Sequence, residues 1–450
     1  MTHPPKPSSR ADKASLWQRL RLFRRDILSS QPERLYRAWM AEFRTLFFRS
    51  YMVNDPSVIR TVLNDRPLDF PKSGRVGSGL QPLLGNSVFL TNGATWQRQR
   101  RIIDPAFEGG RLRETHPSIC AAAQAAADRF AQHAGQQIDI EPETSHAAAD
   151  VIFRTLFSIP IEDKVARDVF DAFQSYQRSQ PILNLAAFVP MPDWVPRGYR
   201  RATRQNAARI RALITQLTTA RQRSIDDGTA PDDLATKIMT TADPQTGQRF
   251  DVPEMVDQVA IFFLAGHETS ASALAWALYL LALYPDWQDK VAAEARAADL
   301  SEFSQMSRLR ITRDVFRETL RLYPPVPMMV RQTTTPEVFR KRDVDPGAQV
   351  VISQWHLHRQ NRLWDNPDGF DPARWHTENG AKCARDAYLP FSSGPRVCPG
   401  AGFAMIEGVV MLATILRDLK VVIDPAETPI PVAHLTVRSQ NGIRLGIVRR

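Results

Sequence analysis

The sequence is poor in cysteine and has no apolar stretch near its amino terminus. Only Cys120, Cys383 and Cys398 occur in 450 residues. They are too few and too scattered for a disulfide framework, so we expect a reducing compartment. Residues 1–13 are rich in proline, serine and charge and lack the hydrophobic segment of a signal peptide or membrane anchor. These features predict a cytoplasmic, soluble protein with a flexible tail over residues 1–13 and no integral membrane segment.

Acidic residues are outnumbered by basic ones, and the formal net charge is +10. The densest basic stretch covers residues 196–212, but no zinc-finger spacing or aromatic-rich RNA-binding motif accompanies it. We therefore expect no nucleic-acid partner. Residues 14–28 form a basic amphipathic segment, which permits contact with a membrane surface. Packing of this helix on its own domain is the simpler interpretation.

Helical patterns dominate the first 320 residues, and they are broken by clusters of proline, glycine and aspartate. After Pro324 the sequence changes to β-rich runs at residues 335–355 and to a run at residues 435–448 that suggests a hairpin around Asn441-Gly442. No long linker separates these parts. The sequence therefore predicts a mainly α fold with a smaller β portion, forming one catalytic domain over residues 14–450.

The most apolar stretch, residues 259–284, is long enough to span a bilayer. However, Glu268 lies at its centre, and a central acidic residue costs roughly 2.5 to 3.5 kcal/mol on membrane insertion. Asp251 and Glu254 have capping-box spacing at its start, and Pro285 stops it. These signals favour a long helix buried in a globular core.

The strongest chemical signal is the run FSSGPRVCPGAG, which begins at Phe391 and precedes an apolar helical segment. Its glycines let the backbone turn towards the Cys398 sulfur, and the helix amino end favours negative charge there. Both effects stabilise a thiolate, which is a nucleophile or a metal ligand. No second cysteine or histidine stands at zinc spacing, and no nearby histidine can serve a cysteine hydrolase. A single thiolate with an open side suits haem.

This run resembles the cysteine-ligand loop of the cytochrome P-450 family. The resemblance implies that Cys398 is the thiolate ligand of the iron of haem b. It also implies that Phe391 packs beside the sulfur, that Arg396 pairs with a haem propionate, and that Gly394 and Gly400 belong to the haem-binding loop.

A second motif, AGHETS, starts at Ala265 inside the apolar helix, where a carboxylate beside a hydroxyl is costly without a purpose. It resembles the family's oxygen-binding helix. The resemblance implies that Gly266 permits a local opening, that Thr269 hydrogen-bonds the bound oxygen and that Glu268 relays protons. An alternative is a helix kink in which the Ser and Thr hydroxyls hydrogen-bond main-chain carbonyl groups of the preceding turn. A metalloprotease motif is excluded because residue 271 is alanine.

Two further motifs support the same resemblance. Glu318 and Arg321 lie three residues apart on one helix face, and with Arg374 they resemble the family's buried Glu-Arg-Arg network, whose role is structural. Trp96 and Arg100, four residues apart, resemble the pair that donates to the haem propionates from an early helix. Arg331 stands where the family often has another propionate partner.

The resemblance covers residues 30–445 and implies the cytochrome P-450 fold, with haem between the long central helix and the cysteine-ligand loop. It implies a monooxygenase that inserts one atom of O2 into a hydrophobic small molecule. We expect no flavin or iron-sulfur domain beside the cytochrome P-450 domain, and therefore expect electrons from a separate ferredoxin or flavodoxin type donor with its NAD(P)H reductase. We also expect a monomer. Such donors are often acidic, so docking is expected at Arg98, Arg101, Lys382 and Arg385.

The family's geometry places the substrate pocket at residues 73–90, 182–189, 326–330 and 434–437, and at Phe262, Phe263, Val326, Met328, Met329 and Leu435. Arg75 or Arg438 could anchor a substrate carboxylate, unless each is solvated or paired elsewhere. Two other functions stay open. One is a peroxide-driven enzyme of the same fold, which would not need Glu268 and Thr269. The other is a non-catalytic haem-binding sensor.

Overall fold

The computed structural model describes residues 3–44, 48–179, 199, 201–424 and 427–450. Its helices are α1 Leu16–Arg25, α2 Pro56–Arg60, α3 Gly74–Gly77, α4 Gln81–Leu84, α5 Gly93–Ile103, α6 Gly109–Gln132, α7 Glu141–Phe157, α8 Lys164–Ser179, α9 Arg201–Asp226, α10 Leu234–Thr240, α11 Val252–Leu283, α12 Pro285–Arg296, α13 Arg310–Leu322, α14 Gln354–Leu357, α15 Glu378–Asp386 and α16 Ala401–Asp418. Short 3-10 turns lie at Glu33–Tyr36, Asp104–Phe107, Phe303–Arg308, Pro372–His376 and Gly394–Arg396, and a π turn lies at Thr61–Asp65.

The strands are β1 Met40–Arg44, β2 Arg49–Val53, β3 Gln137–Asp139, β4 Met329–Gln332, β5 Glu337–Phe339, β6 Arg342–Val344, β7 Gln349–Ile352, β8 Leu419–Ile423, β9 Pro431–Ala433, β10 Val437–Ser439 and β11 Arg444–Arg449. They form a four-stranded sheet in the order β1-β2-β7-β4, a three-stranded sheet β3-β11-β8, and the pairs β5-β6 and β9-β10. The fold is mainly α with small sheets, as the sequence predicts.

The chain divides into two compact units. The first, the sheet unit, contains Met1–Phe70, Ala123–Ala147 and Glu268–Arg450 and holds all the strands named above. The second, the helical unit, contains Pro71–Ala122 and Ala148–His267 and consists of helices in its described part. The single domain expected over residues 14–450 therefore stays a prediction.

The core of the sheet unit packs against the four-stranded sheet. Alternate residues of β2 and β7, such as Val53 and Ile352, are fully buried because successive side chains of a strand point to opposite faces. The indoles of Trp364 and Trp375 belong to the same hydrophobic cluster. This packing holds in place β4 and the segment that precedes the cysteine loop.

The hairpin predicted around Asn441-Gly442 is wrong in its pairing. Gly442 does turn the chain, with φ of 76°, but the strands on its two sides enter different sheets. β10 pairs with β9, whereas β11 pairs with β8 and β3. Local sequence signals the turn, and pairing partners that are distant along the chain decide the sheets.

The long helix α11 begins with the capping box that the sequence predicts. Asp251 Oδ1 accepts a hydrogen bond from Glu254 N at 2.8 Å, and Glu254 Oε2 accepts one from Asp251 N at 3.2 Å. The helix is continuous to Leu283, and α12 starts at Pro285. In the described part of the chain, no helix is long and apolar enough to cross a membrane.

The segment before α1 makes specific contacts within the sheet unit. Tyr323 Oη donates to the Pro5 carbonyl oxygen at 2.8 Å, and Lys6 Nζ lies 2.7 Å from Asp368 Oδ2. Arg10 is buried and donates from Nε to the Ser30 carbonyl oxygen at 2.6 Å. The flexible tail expected over residues 1–13 stays a prediction, and these contacts are the interactions it would have to break.

Candidate active site

The cysteine loop is a tight turn that leads into α16. Cys398 N donates to the Phe391 carbonyl oxygen at 2.9 Å, which closes the loop on itself. Gly394 has φ of 69°, and a Cβ there would lie 2.0 Å from the Leu63 carbonyl oxygen. Only glycine therefore fits this position. Residue 400, also glycine, is the amino cap of α16, so Cys398 lies two residues before this cap and close to the amino end of the helix, where negative charge is favoured.

Among the three cysteines, Cys398 alone is exposed. The Cys383 thiol is buried and donates to the Leu363 carbonyl oxygen at 3.1 Å, and burial raises its pKa to about 11. Cys120 is half-buried, and its sulfur lies 3.5 Å from His116 Nε2. Exposure and loop geometry therefore single out Cys398 as the thiol available to a cofactor.

Arg331 on β4 is a buried cation beside this loop. Its guanidinium donates to the Val330 carbonyl oxygen at 3.2 Å and to Met329 Sδ at 3.9 Å, and no described carboxylate pairs with it. Burial lowers the pKa of Arg331 to about 10, and the positive charge of half-buried Arg396 adds to this effect. A buried guanidinium near a second one requires negative charge. This donor set fits a group with two carboxylates, as haem has.

The predicted Glu-Arg-Arg network is assembled in the core of the sheet unit. Glu318 Oε1 lies 2.8 Å from Arg321 Nη2 and 2.9 Å from Arg374 Nε, and all three side chains are buried. The remaining guanidinium hydrogens are directed at main-chain carbonyl oxygens, including those of Pro367 and Gly369. The network thus fixes the segment at residues 365–371 by satisfying its carbonyl groups.

His358, which the sequence analysis did not single out, joins this network to the cysteine loop. Its Nε2 accepts a hydrogen bond from Leu389 N at 2.9 Å, so the ring proton is on Nδ1, which donates to the Arg321 carbonyl oxygen at 3.2 Å. Burial, reinforced by the charge of Arg321, lowers the pKa of His358 to about 3. The neutral ring therefore connects α13 to Leu389, which lies two residues before Phe391 of the cysteine loop.

Glu268 is buried in the sheet unit and pairs with Arg438 of β10. Arg438 Nη2 lies 2.9 Å from Glu268 Oε1, while Glu268 Oε2 is buried without a hydrogen-bond partner in the described part. Burial raises the pKa of Glu268, and the charge of Arg438 opposes this rise. Arg438 is thus occupied by a carboxylate of the chain itself, not free to anchor a substrate carboxylate. Thr269, the next residue, is half-buried.

A second buried carboxyl lies on α16. Ser270 Oγ donates to Glu407 Oε2 at 2.6 Å, and burial raises the pKa of Glu407 to about 8. The sequence analysis missed Glu407 because it lies in an apolar helical run. The available signal was the acidic residue itself, nine positions after Cys398 and flanked by hydrophobic residues.

In the helical unit, Trp96 and Arg100 share one face of α5, as predicted. The Arg100 guanidinium lies 5.9 Å from the centroid of the Trp96 ring. However, Arg100 Nε also pairs with Asp104 Oδ1 at 2.6 Å. A propionate role for Arg100 would therefore have to coexist with an acidic neighbour on the next helical turn.

Close packing against Ile152 in the helical unit explains why residue 266 of the oxygen-binding motif is glycine. A Cβ at Gly266 would lie 2.4 Å from Ile152 Cδ1. Helix α11 runs continuously through Gly266, and the local opening expected there stays a prediction. His267 is buried against Phe170, with ring centroids 5.5 Å apart, and Ala265 is exposed.

The predicted pocket residues differ in their surroundings. Phe263 is buried between Phe153 and Phe173, at centroid distances of 4.5 and 5.7 Å, and its pocket role stays a prediction. Phe262 is half-buried and contacts Phe107 at 5.8 Å. Met328 and Met329 are half-buried, whereas Val326 and Leu435 are exposed. Residues 182–189 lie outside the described residues.

The four residues expected to dock an electron donor fall into two pairs with different surroundings. Arg98 pairs with Glu254 at 2.6 Å, and Arg101 pairs with Asp243 at 2.5 Å, so both are engaged inside the helical unit. Their expected part in docking an electron donor stays a prediction. Lys382 and Arg385, on α15, are exposed and have no ion pair with described residues.

The chain was compared with known proteins. The family model described as cytochrome P450 matches residues 32–446. Cyclooctat-9-en-7-ol 5-monooxygenase of Streptomyces melanosporofaciens is 33% identical over 378 residues, which cover 82% of this chain and 79% of the relative. Cyclooctatin synthase of the same organism is 31% identical, with 89% and 85% covered. Human cytochrome P450 4X1 is 28% identical, with 93% and 85% covered.

Solved structures share the fold. The haem domain of cytochrome P450DA superposes with a TM-score of 0.81 at 22% identity, covering 99% of this chain and 98% of that one. A cytochrome P450 named CYP102L1 also has a TM-score of 0.81, at 26% identity, with 98% and 100% covered. With a family match over most of its length and a monooxygenase at 33% identity, the chain belongs to the cytochrome P450 family and is a monooxygenase of that family.

Proposed function

We propose that this chain inserts one atom of O2 into a hydrophobic small molecule and that Cys398 is the thiolate ligand of its haem iron. The observation that carries this proposal is the exposed Cys398 in a closed loop beside Arg331, a buried guanidinium without a described carboxylate partner. When bound, haem b supplies the activation of dioxygen and the transfer of one oxygen atom.

Arg331 and Arg396 are the residues of the sheet unit that would hold the propionates. Burial lowers the pKa of both guanidinium groups, and the Arg396 charge lowers that of Arg331 further, so an anion beside Arg331 would stabilise its charged form. Haem carries two carboxylates of this kind. Trp96 and Arg100 are the candidates for the same role in the helical unit, with an indole N–H and a guanidinium as donors.

Glu268 is the proposed proton donor, assisted by the Thr269 hydroxyl. Because burial raises the Glu268 pKa, this carboxyl holds a proton more readily than an exposed glutamate does. Arg438 binds only Oε1, so Oε2 is the atom that can carry and release the proton. An acid with a raised pKa is suited to proton transfer near neutral pH.

Two electrons per turnover are proposed to come from a separate ferredoxin or flavodoxin type donor with its reductase. Lys382 and Arg385 remain as exposed cations on α15, three residues apart. Complementary charge raises the rate of association and makes it depend on salt. Reversal of both charges should lower the reduction rate at low salt, and an unchanged rate would argue against docking there.

For the substrate, the names of the relatives supply the first probes. Because a relative at 33% identity is named for action on cyclooctat-9-en-7-ol, we propose a hydrophobic small molecule of this kind, with terpene alcohols and fatty acids tested side by side. Met328 and Met329, half-buried and flexible, are the pocket residues whose substitution should change the preference among such probes.

The test of the central proposal is the absorption spectrum of the reduced protein under carbon monoxide, compared with a Cys398→Ala variant. A strongly red-shifted Soret band in the wild type alone is expected for thiolate ligation. A band typical of histidine ligation, or folded protein without haem, would overturn the assignment of Cys398. Turnover with peroxide but none with electron donors would instead favour a peroxide-driven enzyme.

A further inference from the structure

An exposed stripe on helix α1 has no part in the proposed chemistry. Trp17, Arg21 and Arg24 follow one another at spacings of four and three residues, which places them on one face of the helix. Trp17 is 83% exposed, more than any other large hydrophobic side chain in the described part. Both arginines are exposed as well. Exposing an indole to water is unfavourable unless another surface covers it.

Helix α1 is firmly connected to the β9–β10 hairpin. Asp26, which ends the helix, accepts a hydrogen bond on Oδ1 from Ala433 N at 2.7 Å, and Ile27 N donates to the Ala433 carbonyl oxygen at 3.1 Å. Arg25 donates from Nη2 to Gln440 Oε1 at 3.3 Å. The hairpin and the helix therefore present their exposed side chains from one continuous piece of structure.

This hairpin adds aliphatic surface. Ile430, just before β9, is 46% exposed, and Leu435, in the turn between β9 and β10, is 43% exposed. We call the set Trp17, Arg21, Arg24, Ile430 and Leu435 the amino-terminal patch. It combines three exposed apolar side chains with two cations.

The described part of the chain does not neutralise the cations of the patch. Neither Arg21 nor Arg24 forms an ion pair with any side chain that the structure describes. Nearby carboxylates are engaged elsewhere: Asp26 accepts main-chain N–H groups, and Glu427 pairs with Arg444 at 3.6 Å. The patch therefore presents positive charge together with apolar side chains.

We propose that the amino-terminal patch docks on an anionic lipid surface, with α1 lying along the headgroup layer and not crossing it. Indoles are favoured at the level of the headgroups, and arginines are attracted by lipid phosphates. An acidic protein would satisfy the arginines alone. A bilayer interface would in addition cover Trp17, Ile430 and Leu435.

The experiment is cosedimentation of the full-length protein with phosphatidylcholine vesicles, with and without phosphatidylglycerol, at low and high salt. The first variant is Arg21→Glu with Arg24→Glu. Its matched control is Lys382→Glu with Arg385→Glu, which changes the net charge by the same amount on a different helix. A Trp17→Ala variant tests the apolar component, and circular dichroism checks that each variant is folded.

We expect binding to anionic vesicles that high salt weakens, and a loss of about tenfold or more in the α1 double variant but not in its control. Trp17→Ala should also weaken binding severalfold. Failure of the wild type to bind anionic vesicles, or equal losses in the two double variants, would overturn the proposal. Vesicle binding that requires the arginines but not Trp17 would overturn the burial of Trp17 in the headgroup layer and leave a purely electrostatic contact with the vesicle surface.

Discussion

Ser270 Oγ donates a hydrogen bond of 2.6 Å to Glu407 Oε2, joining the middle of α11 to the helix that follows the cysteine loop. Glu268, two residues before Ser270, is also buried, and its carboxylate pairs with Arg438. Two carboxyl groups with raised pKa values therefore lie at neighbouring positions of the sheet unit. Glu268 pairs with a charged guanidinium and Glu407 with a neutral hydroxyl, so we expect substitutions at the two positions to have different effects.

Glu407 should make stability depend on pH. Burial raises its pKa from 4.5 to about 8, so the folded state binds this proton more tightly than the unfolded state does. Its contribution is complete below about pH 4.5 and is lost as the pH rises to about 8. Relative to Glu407→Gln, the wild type should lose a few kcal/mol of unfolding free energy over that window, measured by denaturant titration. The difference in stability between the wild type and Glu302→Gln, a substitution at an exposed site, should not change with pH. Equal losses of stability in the wild type and Glu407→Gln over this window would contradict the prediction.

Glu268→Gln should slow turnover without removing haem. A positioned proton donor typically contributes about 10²- to 10⁴-fold, so we expect kcat to fall by at least about 10² while the carbon monoxide spectrum is unchanged. Arg438→Gln is a separate test of positioning. Because the Arg438 charge lowers the Glu268 pKa, its loss should move the corresponding limb of the kcat profile to higher pH. A profile that does not move would show that Arg438 acts only on structure.

Glu318→Ala should prevent stable haem incorporation. The substitution leaves Arg321 and Arg374 as buried guanidiniums without a carboxylate, and breaking a buried pair costs about 3–5 kcal/mol. The measurement is haem content per folded chain together with the free energy of unfolding. Glu302→Ala is the exposed control. A variant that is fully loaded with haem and of normal stability would refute the role of the network.

Gly394→Ala should disrupt the cysteine loop through two separable effects. One is backbone strain, because φ is 69°, and the other is the clash of a Cβ with the Leu63 carbonyl oxygen. Gly228→Ala isolates the first effect, since Gly228 has φ of 70° and open space around it. We expect about 1 kcal/mol from Gly228→Ala and clearly more from Gly394→Ala, with reduced haem content only in the latter. If both variants lose the same free energy of unfolding, measured by thermal unfolding, the clash with Leu63 does not contribute.

Deletion of residues 1–9 should destabilise the chain through Tyr323. The phenol of Tyr323 is buried, stacks on Trp276 at 4.0 Å and donates to the Pro5 carbonyl oxygen. An unsatisfied buried hydroxyl costs about 1–3 kcal/mol, so the deletion should lower the melting temperature. Tyr323→Phe in the shortened chain should recover part of the loss. If truncation has no effect on melting, the contacts of residues 3–10 do not contribute to stability.

Short-range sequence patterns correctly predict several local features of the fold. The capping box of α11, its stop before Pro285 and the turn at Gly442 depend on neighbouring residues, so they can be read from the sequence. The Glu318–Arg321 pairing is local for the same reason, with both residues on one helix turn. The pairing of β10 and β11 was predicted wrongly, because the partners of a strand are chosen by packing over long sequence distances.

By itself, the sequence determined the family, the cysteine that stands before a helix and the acidic residue in an apolar helix, because each is a matter of residue type and spacing. Only the tertiary structure decided which charges are free. Arg98, Arg101 and Arg438 are all engaged by carboxylates, whereas Arg331 is buried without a carboxylate partner among the described residues. The partner of a long charged side chain lies far away in sequence and is selected by the folded surface around it, so spacing along the chain does not identify it.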